Sequence, residues 1–168
     1  MEGAKLFFGG TDYHSLDEKG RLTLPGPTRA VIQLSCSPEL YLSYLPGTSF
    51  LSLYTYEKWV KVLAEWNQEE RFRSTLDFMD FKRVFFSKIA TLTPDKAGRI
   101  LLPATHREWI KLEKEAVVAG CGDKIEIWER GAFVAYEKKR AEAAASDPQS
   151  FLNLAREEER GVPRFPSW

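Results

Sequence analysis

Two arginines occupy the same place in a repeated motif, and their side chains suit contact with nucleic acid. Arg21 ends the run Asp-Glu-Lys-Gly-Arg, and Arg99 ends the run Asp-Lys-Ala-Gly-Arg. A guanidinium group can bind a phosphate, or it can donate to both O6 and N7 of guanine in the major groove. Each arginine can instead pair with the aspartate of its own run and fix the turn. The motif therefore predicts DNA contact for Arg21 and Arg99, with turn pairing as the alternative.

The other residues of the two runs predict tight turns with exposed lysines. Lys19 and Lys96 are candidates for phosphate contacts, which orient a protein on DNA without specifying the sequence. The alternative for both is an ordinary solvated lysine. Aspartate can hydrogen-bond the backbone downstream of it, and glycine accepts a positive φ. We therefore expect turn-forming, structural roles for Asp17, Gly20, Asp95 and Gly98.

An internal repeat organises the chain. Asp17 aligns with Asp95, 78 positions later, and eight of the 18 residues in 17–34 are identical to the residue 78 positions further on. Self-similarity of this kind predicts two similar halves that share a core. Arg29 and Arg107 also align, on the short helix predicted after each motif. There we expect them to stabilise the fold or to contact another protomer rather than DNA.

Each half begins with a predicted turn, strand and short helix. Leu22 and Leu24 alternate with polar residues, as in a strand with one buried face. Pro25 ends that strand because it has no N–H to donate to a sheet, and Pro27 suits the first turn of a helix. The upstream residues 12–16 are predicted to pair with this strand as a hairpin.

Further strands and helices are predicted from alternation and from apolar spacing. The strands are expected at residues 41–45, 50–55, 116–119 and 124–128. One helix is expected from Trp59 to Trp66, and aromatic residues at helical spacing from Phe78 to Phe85 predict a second helix with a core-facing stripe. In the tail, Asp147 followed by proline predicts the start of a short final helix.

Composition and charge limit the possible function classes. The 168 residues carry 24 Lys and Arg against 24 Asp and Glu, so the net charge is zero. Any nucleic-acid site must therefore be a local basic patch rather than a field of the whole protein. No apolar run is long enough to span a bilayer, and the first residues lack the pattern of a signal peptide. We expect a soluble cytoplasmic protein with no membrane partner.

The sequence offers little for metal or catalytic chemistry. Cys36 and Cys121 lie far apart and are expected to be free thiols. With His14 and His106 as the two histidines, no zinc-ligand spacing occurs, and no cofactor is expected. Ser15 neighbours His14, but adjacent residues in a strand point to opposite faces. A phosphate-binding Gly-Lys-Ser/Thr loop is also missing from the sequence, so we do not expect an enzyme.

The motifs and their flanks resemble the MraZ family. Residues 15–25 and 95–103 are similar to the paired Asp-x-x-x-Arg motifs of that family. The Phe-Phe-Ser run at 85–87 and the stretch 120–128 also look like it. The resemblance covers the chain from about residue 7 to the helix near Arg140.

The resemblance implies an α+β, mainly β fold. The expected architecture is a double swapped-hairpin, AbrB-like β-barrel built from the two internal repeats, with flanking helices. The corresponding domains are a first AbrB-like repeat at 7–60, connecting helices at 61–88, a second AbrB-like repeat at 89–134, and a C-terminal helix and tail at 135–168.

The resemblance also implies a function. It predicts a sequence-specific transcriptional regulator, nucleoid-associated, that represses its own division and cell-wall gene cluster. Its partners would be double-stranded promoter DNA with direct repeats and further copies of itself in a homo-oligomeric ring. One alternative is an antitoxin-like autoregulator with the same hairpin fold, although such antitoxins usually carry one hairpin unit. The other alternative, which the neutral charge leaves open, is a ring-forming scaffold without DNA binding.

Overall fold

The computed structural model describes residues 7–68, 76–150 and 152–153. The chain divides into two compact units, Met1–Arg130 and Gly131–Trp168. Within the described residues, no helix is both long and apolar enough to cross a membrane.

The first unit holds all the described strands and four helices. The strands are β1 (Thr11–Ser15), β2 (Arg21–Thr23), β3 (Leu40–Tyr44), β4 (Phe50–Thr55), β5 (Ala90–Leu92), β6 (Arg99–Leu101), β7 (Glu115–Gly120) and β8 (Ile125–Glu129). The helices are α1 (Gly26–Gln33), α2 (Tyr56–Gln68), α3 (Leu76–Phe86) and α4 (Ala104–Trp109). A fifth helix, α5 (Arg130–Ser146), runs into the second unit. The four strands predicted downstream of the two motifs are confirmed, as β3, β4, β7 and β8.

The strands form two antiparallel sheets. The larger sheet has six strands in the order β1-β7-β8-β4-β3-β5, and β2 pairs with β6 in a separate two-stranded sheet. We call this pair the β2–β6 ribbon. The described residues are thus a mixed α and β structure with more residues in helices than in strands. Strands β1 and β5 end the larger sheet, and no described pairing joins them to close it.

Strand β1, upstream of the first motif, and strand β2, within it, both pair with strands of the second repeat. Strand β1 pairs with β7, with Thr11 opposite Ala119, and β2 pairs with β6. The predicted hairpin of residues 12–16 with β2 is therefore wrong beyond its turn. The pairing with β7 continues beyond the start of β1, to the residues before Thr11. This is possible because Gly120 has no side chain: a Cβ at that position would collide with the backbone at Gly9.

The ribbon has the register expected of a pseudo-twofold axis, because Leu22 lies opposite Ile100, its own counterpart 78 positions later. In the larger sheet, β4 of the first repeat pairs with β8 of the second, with Ser52 opposite Glu126. The two repeats therefore meet like the halves of a dimer, which confirms the predicted shared core.

The core receives the apolar face of the ribbon. Four side chains on this face are 0–1% exposed: Leu22, Leu24, Ile100 and Leu102. Leu22 and Ile100 lie in the two strands, and Leu24 and Leu102 directly follow them. They cluster with Leu42, Leu53 and Ile127 from the larger sheet. The alternation that predicted a half-buried strand is confirmed on both copies.

The remaining predicted helices are present. Trp59 of α2 stacks on Tyr41 at 5.6 Å and on Phe85 of α3 at 6.1 Å between ring centroids. Phe85 is buried as predicted, whereas the side chain of Phe78 lies outside the described residues. In the second unit, Asp147 Oδ1 accepts the N–H of Ser150 at 3.0 Å, which confirms the predicted helix cap.

Candidate nucleic-acid interface

The first motif turn is closed by the carboxylate of Asp17. Its Oδ1 accepts the backbone N–H groups of Lys19 and Arg21, each at 2.9 Å. Its Oδ2 accepts Nε of Arg21 at 2.6 Å. Gly20 has φ 78°, and its N–H donates to the Asp17 carbonyl oxygen at 2.9 Å. An aspartate four residues before the arginine thus folds the turn and orients the guanidinium.

The second turn repeats this arrangement. Asp95 Oδ1 accepts the N–H of Ala97 at 2.9 Å and that of Arg99 at 3.0 Å. Asp95 Oδ2 accepts Nε of Arg99 at 2.8 Å. Gly98 has φ 74° and donates to the Asp95 carbonyl oxygen at 2.9 Å. The Asp-x-x-x-Arg spacing therefore has the same local cause in both repeats.

These bonds hold both aspartates in the ionised form. The backbone N–H of Arg21, followed by its side chain, lowers the pKa of Asp17, and Arg99 lowers the pKa of Asp95 in the same way. The pairing uses Nε of each guanidinium. The two terminal nitrogens of each have no hydrogen-bond partner in the part of the chain that the structure describes. Turn pairing and a contact with DNA are therefore compatible for the same arginine.

Each turn also receives an arginine from the other repeat. A Cβ added at Gly20 would lie 3.0 Å from Cζ of Arg107, and one added at Gly98 would collide with Cδ of Arg29. Nε of Arg107 donates to the carbonyl oxygen of Leu102 at 3.2 Å. The guanidinium of Arg107 thus lies against the first turn, and the side chain of Arg29 lies against the second.

The ribbon carries its polar side chains on the face away from the core. Arg21 lies opposite Leu101, and Thr23 lies opposite Arg99. Thr23 and Leu101 are exposed, and the side chains of Arg21 and Arg99 are 30% and 35% exposed. The outer face of the β2–β6 ribbon, as we define it, consists of Arg21, Thr23, Arg99 and Leu101. Because β2 and β6 are antiparallel, the two turns lie at opposite ends of this face.

Cations outnumber carboxylates in the two motif runs. Together with the helical Arg29 and Arg107, the runs contain six cations: Lys19, Arg21, Arg29, Lys96, Arg99 and Arg107. The runs contain three carboxylates, Asp17, Glu18 and Asp95, and Glu108 follows Arg107 on α4. This balance is compatible with the local basic patch predicted for the neutral chain.

His106 positions the helix that carries Arg107. Its ring is 5% exposed, and Nε2 lies 2.9 Å from the carbonyl oxygen of Lys88, which can only accept. Nε2 therefore carries the proton, and the buried Nδ1 has no hydrogen-bond partner among the described residues. Burial lowers the pKa of His106, and the nearby positive charge of Lys88 adds to that effect. A neutral histidine thus joins α4 to the segment after α3.

Glu57 anchors the end of the helix that carries Arg29. Its carboxylate accepts Ser35 Oγ at 2.6 Å and the N–H of Cys36 at 2.5 Å, just after α1. Burial alone would raise the pKa of Glu57, but these hydrogen bonds outweigh it and lower the pKa to about 2. Glu57 thereby fixes the chain where α1 ends.

The structure groups the predicted residues by repeat. Lys19 and Arg21 share one turn, Lys96 and Arg99 share the other, and the β2–β6 ribbon joins the two turns. For Arg29 and Arg107 the sequence predicted a role in stabilising the fold or a contact with another protomer, but it did not predict that either side chain lies against a motif turn. Their alignment was visible, but the exchange of partners between repeats was not. Across the described residues, no group of His, Cys, Asp or Glu could hold a metal ion.

Comparison with known proteins gives a consistent result. The MraZ protein family model, whose description also uses the term antitoxin-like, matches residues 85–154. The chain is 35% identical over 152 residues to the transcriptional regulator MraZ of Desulfitobacterium hafniense, covering 88% of this chain and 98% of that protein. It is 36% identical over 123 residues to the MraZ of Oleidesulfovibrio alaskensis, covering 73% and 80% of the two chains. For the MraZ of Lactiplantibacillus plantarum, the values are 32% over 145 residues, with 81% and 91% covered.

Fold and site together define a class: a two-repeat protein whose halves exchange strands around a ribbon ended by Asp-x-x-x-Arg turns. The extent and identity of the matches make the assignment more specific. The chain belongs to the MraZ family.

Proposed function

We propose that this protein is a sequence-specific DNA-binding transcriptional regulator that reads DNA with the outer face of the β2–β6 ribbon. The observation that supports the proposal is the position of Arg21 and Arg99 on that face, where each side chain is about a third exposed and is held by its turn aspartate through Nε. The relatives described above are named transcriptional regulators, which supports the same function for this chain.

The dimensions of the ribbon suit a DNA groove. The major groove of B-DNA admits a two-stranded β-ribbon. Arg21 and Arg99 are diagonal neighbours in the ribbon, so their Cβ atoms are about 7–8 Å apart. Stacked bases repeat about every 3.4 Å along a strand. The two guanidinium groups can therefore reach guanines about two base steps apart.

The turn residues have distinct proposed roles. Arg21 and Arg99 contact bases, and Lys19 and Lys96 contact phosphates, which position the protein without adding specificity. The structural residues of the two turns present these groups: Asp17, Gly20, Asp95 and Gly98. Asp17 and Asp95 hold the arginine side chains in place before DNA binds. Less side-chain entropy is therefore lost on binding.

The fold details that accompany this function are also proposals. Strands β1 and β2 of the first repeat both pair with strands of the second repeat, which supports a swapped-hairpin, AbrB-like arrangement. In the proposed barrel, the two end strands of the larger sheet would come together. We propose the organisation given by the family resemblance, with AbrB-like repeats at 7–60 and 89–134, connecting helices at 61–88, and a helix and tail at 135–168.

Assembly and targets complete the proposal. A locally basic but neutral protomer binds DNA weakly alone, so we propose a homo-oligomer that engages direct repeats at once. Exposed apolar side chains on α2 and α3, such as Val60, Met79 and Val84, support self-association. The proposed role is non-enzymatic repression of its own division and cell-wall gene cluster, in the cytoplasm at the nucleoid.

The direct test is a binding isotherm with DNA from upstream of the protein's own gene. Arg21→Ala should lose about 1–3 kcal/mol of binding free energy for each bidentate contact, with unchanged circular dichroism and light scattering. Arg130→Ala is the matched control, because Arg130 is another exposed arginine paired with a carboxylate, Glu115, at 2.8 Å. Equal binding by both variants would remove Arg21 from the interface.

The same assay separates the alternative functions. A wild-type protein that forms its oligomer but binds no DNA would be the ring-forming scaffold. An antitoxin-like autoregulator would bind DNA but require a toxin partner, and the two motif repeats of this chain are unlike the single hairpin unit usual for that class.

A further inference from the structure

Leu101 is an apolar side chain on the outer face, at the end of β6 that lies opposite Arg21. It is 57% exposed, whereas the apolar residues on either side of it, Ile100 and Leu102, are 0% and 1% exposed. The alternation of the strand assigns this position to the polar side, and Thr23 occupies the equivalent place in the other repeat. The leucine therefore adds nothing to the core of this unit and presents its methyl groups beside an arginine.

The ribbon register places Leu101 directly beside Arg21. The backbone N–H and carbonyl of Arg21 both bond to Asp17 rather than to β6. Arg21 and Leu101 are therefore a non-hydrogen-bonded pair, in which facing side chains come closest, with Cβ atoms about 4.5–5.5 Å apart. A base contacted by Arg21 and a base contacted by Leu101 would thus lie within one or two base steps of each other.

The major groove offers one apolar feature, the 5-methyl group of thymine, beside the O6 and N7 acceptors of guanine that suit arginine. We propose that Leu101 is a specificity-determining residue that packs on a thymine methyl next to the guanine contacted by Arg21. The inference rests on the proposed function and deepens it. In the other half of the face, Arg99 has Thr23 beside it, so the two halves select different neighbours.

The test changes one methyl group of the DNA. The wild-type chain first selects a site from a pool of random duplexes, and that duplex is then made with deoxyuridine at each thymine in turn. In each selected site, replacing one particular thymine by deoxyuridine should weaken the binding of the wild type about fourfold. That is the change in affinity expected from the loss of one buried methyl group. Leu101→Ala should bind the two duplexes equally. Leu34→Ala, which alters a leucine that is 68% exposed outside the ribbon, should keep the wild-type difference.

A second substitution ties the thymine to Arg21. The sensitive thymine should adjoin a guanine whose replacement by 7-deazaguanine, which lacks N7, weakens the wild type but not Arg21→Ala. Thermal unfolding and light scattering of Leu101→Ala should match the wild type.

Three results would overturn the proposal. If no thymine is sensitive, or if Leu101→Ala keeps the deoxyuridine penalty, Leu101 does not read a methyl group although the protein binds DNA. A change of molar mass in Leu101→Ala would place the leucine in a contact between copies instead. A pool in which no sequence is enriched would overturn the proposed function together with this inference.

Discussion

Alanine at the turn glycines separates the cost of a left-handed backbone from the cost of displacing an arginine. Gly20, Gly98 and Gly122 have φ values of 78°, 74° and 75°. Alanine should therefore pay a similar backbone cost at each, about 1–2 kcal/mol of the free energy of unfolding. Their surroundings differ, since a Cβ at Gly122 meets no atom of the described residues within 4 Å, whereas Arg107 or Arg29 fills that space at the other two.

The difference predicts an order of destabilisation. Gly122→Ala should show the backbone cost alone. At Gly98 the Cβ overlaps a methylene in the middle of the Arg29 side chain, so overpacking should add about 1–3 kcal/mol. At Gly20 the nearest atom is at the end of Arg107, 3.0 Å away, and a flexible tip can shift at less cost. The expected order is Gly98→Ala, then Gly20→Ala, then Gly122→Ala.

Urea unfolding followed by circular dichroism measures these free energies, and a double variant tests their cause. In the double variant Gly98→Ala/Arg29→Ala, the additional destabilisation caused by overpacking should disappear. Once the effect of Arg29→Ala alone is subtracted, the remaining loss in free energy of unfolding should equal that of Gly122→Ala. Overpacking against Arg29 would be refuted if Gly98→Ala destabilised the fold no more than Gly122→Ala, or if the additional destabilisation persisted without the Arg29 side chain.

Three further outcomes are expected. Burial lowers the pKa of His106 below its ordinary value of 6.5, so the unfolded chain binds a proton that the folded chain excludes. The free energy of unfolding should therefore fall as the pH drops below about 6.5, and His106→Gln should flatten that dependence in urea titrations; parallel curves would contradict it. Deleting residues 146–168 should preserve DNA affinity and the number of protomers calculated from light scattering, because these residues follow the second repeat; loss of the oligomer would show that the tail joins protomers. A duplex with three direct repeats about 10 base pairs apart should bind about 10²–10⁴-fold more tightly than one repeat; insertion of half a turn between repeats should remove the gain in a fluorescence titration, and equal affinity for one and three repeats would rule out avidity.

Local pattern was enough to predict the parts of the site that local chemistry builds. The alternation at Leu22 and Leu24 predicted β2 because one face of the strand is buried whatever its partner. Asp17 and Gly20 predicted a turn because their bonds lie within five consecutive residues. The alignment of Asp17 with Asp95 then predicted the same turn in the second half.

Strand exchange could not be predicted in this way. Pairing of β1 with β2 and pairing of β1 with β7 satisfy the same alternation, and the choice depends on contacts between residues about 100 positions apart. The close approach at Gly120 is one such contact. The repeat also breaks without a local signal: Leu112 is 3% exposed, but its counterpart Leu34 is 68% exposed.

The two ends of the ribbon are related by symmetry in their backbone but not in their outer side chains. Lys19 of the first turn corresponds to Ala97 of the second, and Thr23 corresponds to Leu101. A ribbon with identical halves would read a palindrome, whereas unlike halves read one orientation of a site. Under the proposed function, we therefore expect protomers bound in one orientation to favour direct over inverted repeats. The asymmetry of the outer face and the zero net charge of the chain both support the proposed operator with several direct repeats.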